Sequence, residues 1–130
     1  MQSIPSEYLD LLKDETKAFL FLATTMPDGT PQVTPVWFNV EGETILINSA
    51  KGRVKDKNMR ARPNVAFVIQ DPNDPYRFLQ IRGRVVEITE EGGLEHIQAL
   101  SMIYYGRPMK NLEGQTRVIY KILPEHVNAH

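Results

Sequence analysis

Apolar and polar residues alternate in short stretches along most of this chain, with turn residues between them. Residues 32–40 place Val36 and Phe38 on one face and Pro35 and Trp37 on the other, which is the period of a β-strand. Because Pro35 cannot donate a ladder hydrogen bond, we expect this strand at a sheet edge or interrupted at that point. The same patterns predict six strands, at residues 18–25, 32–40, 44–48, 64–70, 77–89 and 117–123, the last resuming after Pro124 as far as 128.

Helical signals occur in three segments of the chain. A short helix is expected near the N-terminus, at residues 3–12, and a second over residues 51–62, directly behind the third strand. A third is expected over residues 89–105, with Leu94 on its apolar side and Gly106 closing it.

The predicted elements favour a mainly β fold. Short hairpins, few helices and no repeated β-α-β pattern indicate a six-stranded antiparallel barrel. The chain has 130 residues, of which 42% are apolar and 24% charged, as is typical of one globular domain. We therefore expect residues 1–130 to form a single domain.

Composition excludes whole classes of chemistry. The chain has no cysteine, which removes disulfides, thiolate nucleophiles, iron–sulfur clusters and thiolate zinc sites. Its three histidines, His96, His126 and His130, give no ligand spacing that predicts a metal site. No apolar stretch approaches the roughly 20 residues that cross a bilayer, and the N-terminus lacks the pattern of a signal peptide. We expect a cytoplasmic protein that binds no membrane.

Residues 51–62, KGRVKDKNMRAR, hold six of the fifteen Lys and Arg residues and a single acid, Asp56. The segment has a charge of +5, so the remaining residues sum to −6. On a helix beginning near Gly52, the first cations lie where free backbone N–H groups and the helix dipole favour a phosphate. Arg53 suits bidentate binding of that phosphate, and Lys55 acts as a point charge.

The alternative is a solvated helix face, and the residues alone leave both interpretations open. Val54 and Ala61 would face inward in either case. Nucleic-acid binding through residues 51–62 is disfavoured, because the rest of the chain is acidic and the segment lacks interleaved aromatic residues.

The strand at 32–40 contains further candidates. Trp37 either packs in the core or an interface, or forms a wall against a planar ring. Gln32 and Thr34 are either surface residues or, if Pro35 frees nearby backbone groups, the polar edge of a ligand site. No Ser-His-Asp, Cys-His or paired-carboxylate arrangement stands out, which is typical of an enzyme whose cofactor performs the hydride chemistry.

Three stretches, residues 21–38, 51–72 and 75–89, together resemble the pyridoxamine 5′-phosphate oxidase-like split β-barrel flavin and deazaflavin oxidoreductases. They cover over half the chain and are most similar to the branch described as probable F420-dependent enzymes. The resemblance implies a split barrel of the FMN-binding type and a homodimer with two cofactor sites at the subunit interface. The cofactor-binding residues expected from the patterns and the resemblance are Gln32, Val33, Thr34, Pro35, Trp37, Ser49, Lys51, Arg53, Lys55 and Asn58. No catalytic side chain is predicted.

The resemblance leaves the cofactor open, since family members bind FMN, the deazaflavin coenzyme F420, haem or pyridoxal-type ligands. The string KGRVKDKN is more similar to the deazaflavin branch, and the anionic tail of F420 would use Lys51, Lys57 and Arg60. We therefore expect F420, with FMN as the alternative. The expected activity is hydride transfer from the reduced cofactor to an electron-poor small molecule. A non-catalytic flavin, deazaflavin or haem binding protein is the alternative function.

Overall fold

The computed structural model describes residues 3–130 and confirms the mainly β fold. Its strands are β1 (Phe19–Thr25), β2 (Pro31–Val36), β3 (Phe38–Glu41), β4 (Thr44–Ala50), β5 (Asn64–Asp71), β6 (Asp74–Thr89) and β7 (Arg117–Ala129). They form one sheet in the order β2-β1-β5-β6-β7-β4-β3, and every pair of neighbours is antiparallel.

The sheet has seven strands and not six because the predicted strand 32–40 is divided at Trp37 into β2 and β3. These two strands are also the two edges of the sheet. A chain of two residues spans at most about 7 Å, so the sheet must curl until its edges meet at Trp37. The result is a barrel split along that line. Pro35 lies on the edge strand β2, as predicted.

Strand alternation places one set of apolar side chains inside the barrel. Leu20 and Leu22 of β1 and Ile45 and Ile47 of β4 are completely buried there. Each such side chain contributes roughly 1.5–3 kcal/mol to stability, so this core fixes the positions of the strands that surround the site described below.

The N-terminal helix is present as two short 3₁₀ segments, Ser6–Leu12 and Asp14–Thr16. Leu11 of the first segment is completely buried. The N-terminal segment therefore braces the barrel by apolar packing.

The basic segment forms α1 (Val54–Ala61), which contacts β1 and β4. The prediction that Val54 and Ala61 face inward is wrong, since both are exposed. Asp56 and Met59 are buried in their place. The sequence pattern failed here because the buried position is an acid, and one of its hydrogen-bond donors, Tyr120, comes from a distant part of the chain.

Helix α2 (Gly93–Tyr105) begins later than predicted, because a turn at residues 90–92 separates it from β6. A Cβ atom at Gly93 would lie 2.0 Å from the carbonyl oxygen of Arg117, so only glycine permits this contact between α2 and β7. Gly106 ends the helix at φ 72°, as predicted. Leu94 was expected on the apolar side, but it is 51% exposed.

No helix within residues 3–130 is long and apolar enough to span a bilayer. The cytoplasmic location stays a prediction.

Candidate functional site

A cavity of about 290 Å³ lies between the barrel and α2, beside the line where the two sheet edges meet. Its polar lining is Asn48, Arg53, Lys55 and Arg117, and its apolar lining includes Phe19, Pro35, Trp37, Ile97, Leu100 and Met109. Ligand pockets usually measure roughly 300–1,000 Å³. The cavity therefore suits a small planar molecule or one part of a larger cofactor.

Three cations line the cavity, and no acidic residue accompanies them. Arg53 occupies the N-terminal cap of α1, and Lys55 is half-buried in its first turn. Burial, followed by the charges of Arg53 and Arg117, lowers the pKa of Lys55 below its usual value. Like charges around one cavity repel one another, and a bound anion would relieve this repulsion. Residues 3–130 contain no group of three His, Cys, Asp or Glu that suits a metal ion.

Arg117, the first residue of β7, is only 6% exposed. Its Nε donates to Asn48 Oδ1 over 2.9 Å, and its Nη1 donates to Gln115 Oε1 over 2.8 Å. Both partners are neutral, and no carboxylate of residues 3–130 forms an ion pair with it. Burial, followed by the charge of Arg53, lowers the pKa of Arg117, yet a guanidinium stays protonated in proteins. The cavity thus has a buried charge without a protein counter-charge.

A chain of hydrogen bonds fixes the Asn48 amide that holds Arg117. Asn48 Nδ2 donates to the carbonyl oxygen of Gly93 over 2.9 Å and lies 3.0 Å from His96 Nδ1. His96 Nε2 lies 2.8 Å from Asn39 Oδ1. The guanidinium donates to Asn48 Oδ1, so Asn48 Nδ2 is a donor and His96 Nδ1 accepts its hydrogen bond. The His96 proton is therefore assigned to Nε2, which donates to Asn39 Oδ1. Burial lowers the pKa of His96 to about 4, so the ring is neutral near pH 7.

An aromatic cluster forms the wall at the β2–β3 junction. Trp37 stacks on Tyr104 at 5.3 Å and 9°, and it meets Tyr105 edge-on at 5.1 Å and 87°. The Tyr104 hydroxyl donates to the carbonyl oxygen of Ala18 and accepts the N–H of Phe38 over 3.4 Å. Trp37 therefore packs against α2 and also lines the cavity, and its role as a wall against a planar ring stays a prediction.

The loop after α2 completes the lining through Met109. Gln98 of α2 binds both backbone groups of Met109: Nε2 donates to its carbonyl over 3.1 Å, and Oε1 accepts its N–H over 2.8 Å. Ser101 donates to the carbonyl of Arg107 over 2.6 Å. These bonds attach the loop to α2 and fix the Met109 backbone.

Asp56, the acid of the basic segment, lies in the barrel and not in the cavity lining. It accepts the N–H of Gly52 over 2.8 Å, the Nε–H of Arg60 over 2.9 Å and the hydroxyl of Tyr120. Burial alone would raise the pKa of Asp56, but these hydrogen bonds outweigh it and hold the pKa below its usual value. Asp56 is satisfied where it lies and does not neutralise the cavity.

Four of the predicted cofactor-binding residues come together at the cavity. Pro35 and Trp37 lie in its apolar lining, and Arg53 and Lys55 in its cationic lining. These residues come from two separate segments of the chain, and both segments line the same cavity. The residues predicted to hold a phosphate and those predicted to contact a ring therefore lie together, while cofactor binding by them stays a prediction.

Two of the cations expected to contact a cofactor tail already have acidic partners. Lys51 pairs with Glu90 at 2.9 Å, and Arg60 pairs with Asp56 at 2.9 Å. Lys57 is exposed on α1. Contact with a tail would therefore compete with existing ion pairs at two of the three positions.

Three other predicted residues lie outside the cavity lining. Gln32 accepts a hydrogen bond from Thr24 over 3.0 Å. Val33 is 62% exposed on the outer face of β2. Asn58 is buried and bonds to side chains of Thr24, Met26 and Arg62. Gln32 and Asn58 thus have partners within the fold, Val33 is exposed, and a role in cofactor binding stays a prediction for each.

Thr34 and Ser49, the remaining predicted residues, have buried hydroxyl oxygens with no partner among residues 3–130. Ser49 is 1% exposed and pairs with Val118 in the β4–β7 ladder. An unpaired buried hydroxyl costs about 1–3 kcal/mol, so both positions favour a bound polar group. Neither lines the cavity in this structure.

Sequence reasoning missed Asn48, Met109 and Arg117. Asn48 and Arg117 meet only through the ladder that pairs β4 with β7, where Ala50 lies opposite Arg117. The one local signal was a charged residue at the start of an apolar strand, which is common at surfaces. Gly93 also packs against the backbone of Arg117, and no local pattern reports that contact.

Comparisons with known proteins agree with this architecture. A family model described as pyridoxamine 5′-phosphate oxidase matches residues 4–130. The structure of an F420 reductase is 34% identical, with a TM-score of 0.85, covering 96% of this chain and 98% of that one. No curated protein sequence is significantly similar to this chain.

Two further structures share the fold at lower identity. A conserved hypothetical protein from Mycobacterium tuberculosis is 24% identical, with a TM-score of 0.74, covering 97% of this chain and 84% of that one. A putative pyridoxamine 5′-phosphate oxidase from Listeria innocua is 22% identical, with a TM-score of 0.70, covering 95% of this chain and 94% of that one. At these identities the likeness concerns the fold alone.

Proposed function

This chain belongs to the pyridoxamine 5′-phosphate oxidase family, and we propose that it is a reductase dependent on F420, with FMN as the alternative cofactor. Family membership and the F420 reductase relative support the coarser assignment, a flavin- or deazaflavin-related oxidoreductase with a flavin-type cofactor. In the proposed reaction an electron-poor small molecule gains a hydride from the reduced cofactor and a proton from water. The acceptor is thereby reduced by two electrons, and the cofactor is oxidised by two.

The proposal rests on the acid-free cationic cavity beside the aromatic wall. F420 or FMN, when bound, would supply a ring system that takes up and releases a hydride. Arg53 and Lys55 would hold its phosphate at the N-terminus of α1, where backbone N–H groups add to their charge. Trp37 would orient the flat ring, since its own plane is fixed by Tyr104.

The proposed reaction needs no general acid or base from the chain. The nearby His96 is neutral, and both of its ring nitrogens are engaged with asparagine side chains. The chain's contribution in the proposed reaction is to bind, orient and exclude water from the reacting groups.

The central test is the cofactor affinity of a double variant, Arg53→Ala with Lys55→Ala. Two charge-assisted hydrogen bonds contribute about 3 kcal/mol together, so the Kd for F420 or FMN should rise about 100-fold. Lys13→Ala with Arg84→Ala removes one lysine and one arginine from exposed positions outside the cavity and is the matched control. Absorbance and fluorescence titrations with each cofactor measure the affinity.

An affinity that changes less than about threefold in the double variant would falsify the phosphate assignment. Steady-state oxidation of the reduced cofactor with a panel of acceptors separates enzyme from carrier. Binding without turnover would identify the non-catalytic alternative.

A second subunit is part of the proposal, because the cavity encloses only part of such a cofactor. The outer face of β2, β1 and β5 is apolar, although a solvated sheet face is usually polar. The residues that register places on this face are Phe21, Ala23, Val33, Ala66 and Val68. It continues into the cavity at Phe19 and Pro35, so a partner covering this face would add a wall to the site.

Light scattering tests the proposed homodimer. Val33→Asp should convert a dimer to monomers, because it places a charge on the covered face. Val86→Asp, at a position 45% exposed on β6, is the matched control and should stay dimeric. A wild-type monomer at the concentrations that bind cofactor would contradict the shared site.

A further inference from the structure

We infer that Arg117 forms a second anion-binding position in the cavity and takes the carboxylate of a planar electron-accepting substrate. The inference rests on the proposed function and adds to it a substrate class, aromatic or conjugated carboxylates. It separates the role of Arg117 from that of Arg53 and Lys55, which hold the cofactor phosphate.

Burial sets Arg117 apart from every other arginine of residues 3–130. It is 6% exposed, yet its hydrogen bonds go to the neutral side chains of Asn48 and Gln115. Arg60, Arg77 and Arg84, by comparison, all pair with acids. Removing a cation from water without a counter-charge is unfavourable, and a bound anion offsets that cost.

Charge balance leaves one cavity cation over after the cofactor phosphate is bound. Three cations line the cavity without an acid. A phosphate monoester contributes a charge of about −2 at most, and a phosphodiester contributes less. Arg53 is exposed and Lys55 only half-buried, so water can solvate them in part. Arg117 is the least hydrated of the three cations, so a second anion would stabilise it most.

The guanidinium of Arg117 is oriented before any ligand binds. Nε and Nη1 are held by Asn48 and Gln115, and Nη2 has no partner within residues 3–130. A planar carboxylate matches a planar guanidinium fork. The apolar residues Ile97, Leu100 and Met109 line the same cavity of about 290 Å³, which suits the ring or conjugated chain of a small acid.

A matched pair of acceptors tests the inference in the wild-type protein. 4-Nitrobenzoate and 4-nitrobenzamide have nearly the same shape and differ in charge. Arg117 should raise kcat/KM for the carboxylate about 10- to 100-fold over the amide, as expected for a charge-assisted hydrogen bond. Calorimetric titration of protein without added cofactor measures the same preference in binding. Equal affinity and equal turnover for the two compounds would overturn the inference.

Variants assign the preference to the residue. Arg117→Met should bring the ratio close to one, and Arg117→Lys, which keeps the charge but not the planar fork, should retain part of it. Arg84→Met removes an exposed arginine outside the cavity and should keep the wild-type ratio. Thermal unfolding of each variant reports whether it is folded.

Cofactor affinity distinguishes failure of this inference from failure of the proposed function. Arg117→Met should change the Kd for F420 or FMN less than about threefold, whereas the Arg53 and Lys55 double variant changes it about 100-fold. Equal losses in both would assign Arg117 to the phosphate site and overturn the inference. If no cofactor binds at all, the proposed function fails, and the calorimetric preference still decides the role of Arg117.

Discussion

Two buried polar networks adjoin the basic segment, and they differ in charge balance. In the barrel, Asp56 accepts hydrogen bonds from Gly52, Arg60 and Tyr120, so a buried acid has a cation and two further donors. Beside α2, Arg117 is bound only by amide oxygens. Both ionised groups are nearly inaccessible, at 2% and 6% exposure, so the difference lies in their partners.

The Asp56 network is charge-balanced by protein groups alone, whereas the Arg117 network would be balanced only by the proposed ligand. Breaking a balanced buried network leaves unpaired groups, which is costly. Replacing an unbalanced buried charge by an apolar residue often costs little, because its desolvation penalty disappears with it. Stability measurements on the two networks should therefore differ even though both residues are buried.

The largest expected effect comes from Asp56→Ala. The substitution leaves the Tyr120 hydroxyl and the Gly52 N–H without their acceptor, and we expect a loss of about 3 kcal/mol in the free energy of unfolding. Urea denaturation measures it. Lys57→Ala, an exposed neighbour on α1, should change stability by less than about 0.5 kcal/mol. A loss for Asp56→Ala as small as that of the control would contradict the distinction.

A smaller, pH-dependent effect is expected at His96, within the unbalanced network. Its pKa is lowered from 6.5 to about 4 in the folded state, so below pH 6.5 the unfolded chain binds the proton first. The contribution of neutral His96 to the free energy of unfolding is fully present above pH 6.5 and is lost as the pH drops toward 4. The shift corresponds to at most about 3 kcal/mol, and we expect about 2 because the ring is partly exposed.

The comparison for this effect uses His96→Gln, which cannot titrate and should lose less stability between pH 6.5 and 4. His126→Gln removes an exposed histidine and should behave as the wild type. Parallel urea-derived stability curves for the wild type and His96→Gln over this pH range would mean that His96 is not held neutral by burial.

Local patterns predicted the strands well, because alternation depends only on which face of each strand is buried. They also placed Pro35 at a sheet edge correctly. They missed the division at Trp37, since the alternation runs through it unbroken and only closure of the sheet separates β2 from β3. Closure is a property of the whole sheet and leaves no mark on nine consecutive residues.

The site was predictable only where its residues are close in sequence. Arg53 and Lys55 could be proposed because they follow a strand and begin a helix. Arg117 and Asn48 could not, since their meeting depends on the register of β4 against β7. The inward position of Asp56 was missed for a similar reason. An acid is expected at the surface, and the distant Tyr120 hydroxyl that donates to Asp56 inside the barrel cannot be identified from the local sequence.

The smallest expected change in stability, and the sharpest test of the comparison, is Arg117→Met. Loss of the guanidinium removes a desolvation cost but leaves Asn48 Oδ1 without a donor, so the two effects nearly cancel. We expect the free energy of unfolding to change by less than about 1 kcal/mol, against about 3 for Asp56→Ala. Urea denaturation in buffer free of phosphate and sulfate makes the measurement, because either anion would stabilise the wild type alone. A loss comparable with that of Asp56→Ala would mean that Arg117 is held for the fold and not for a ligand.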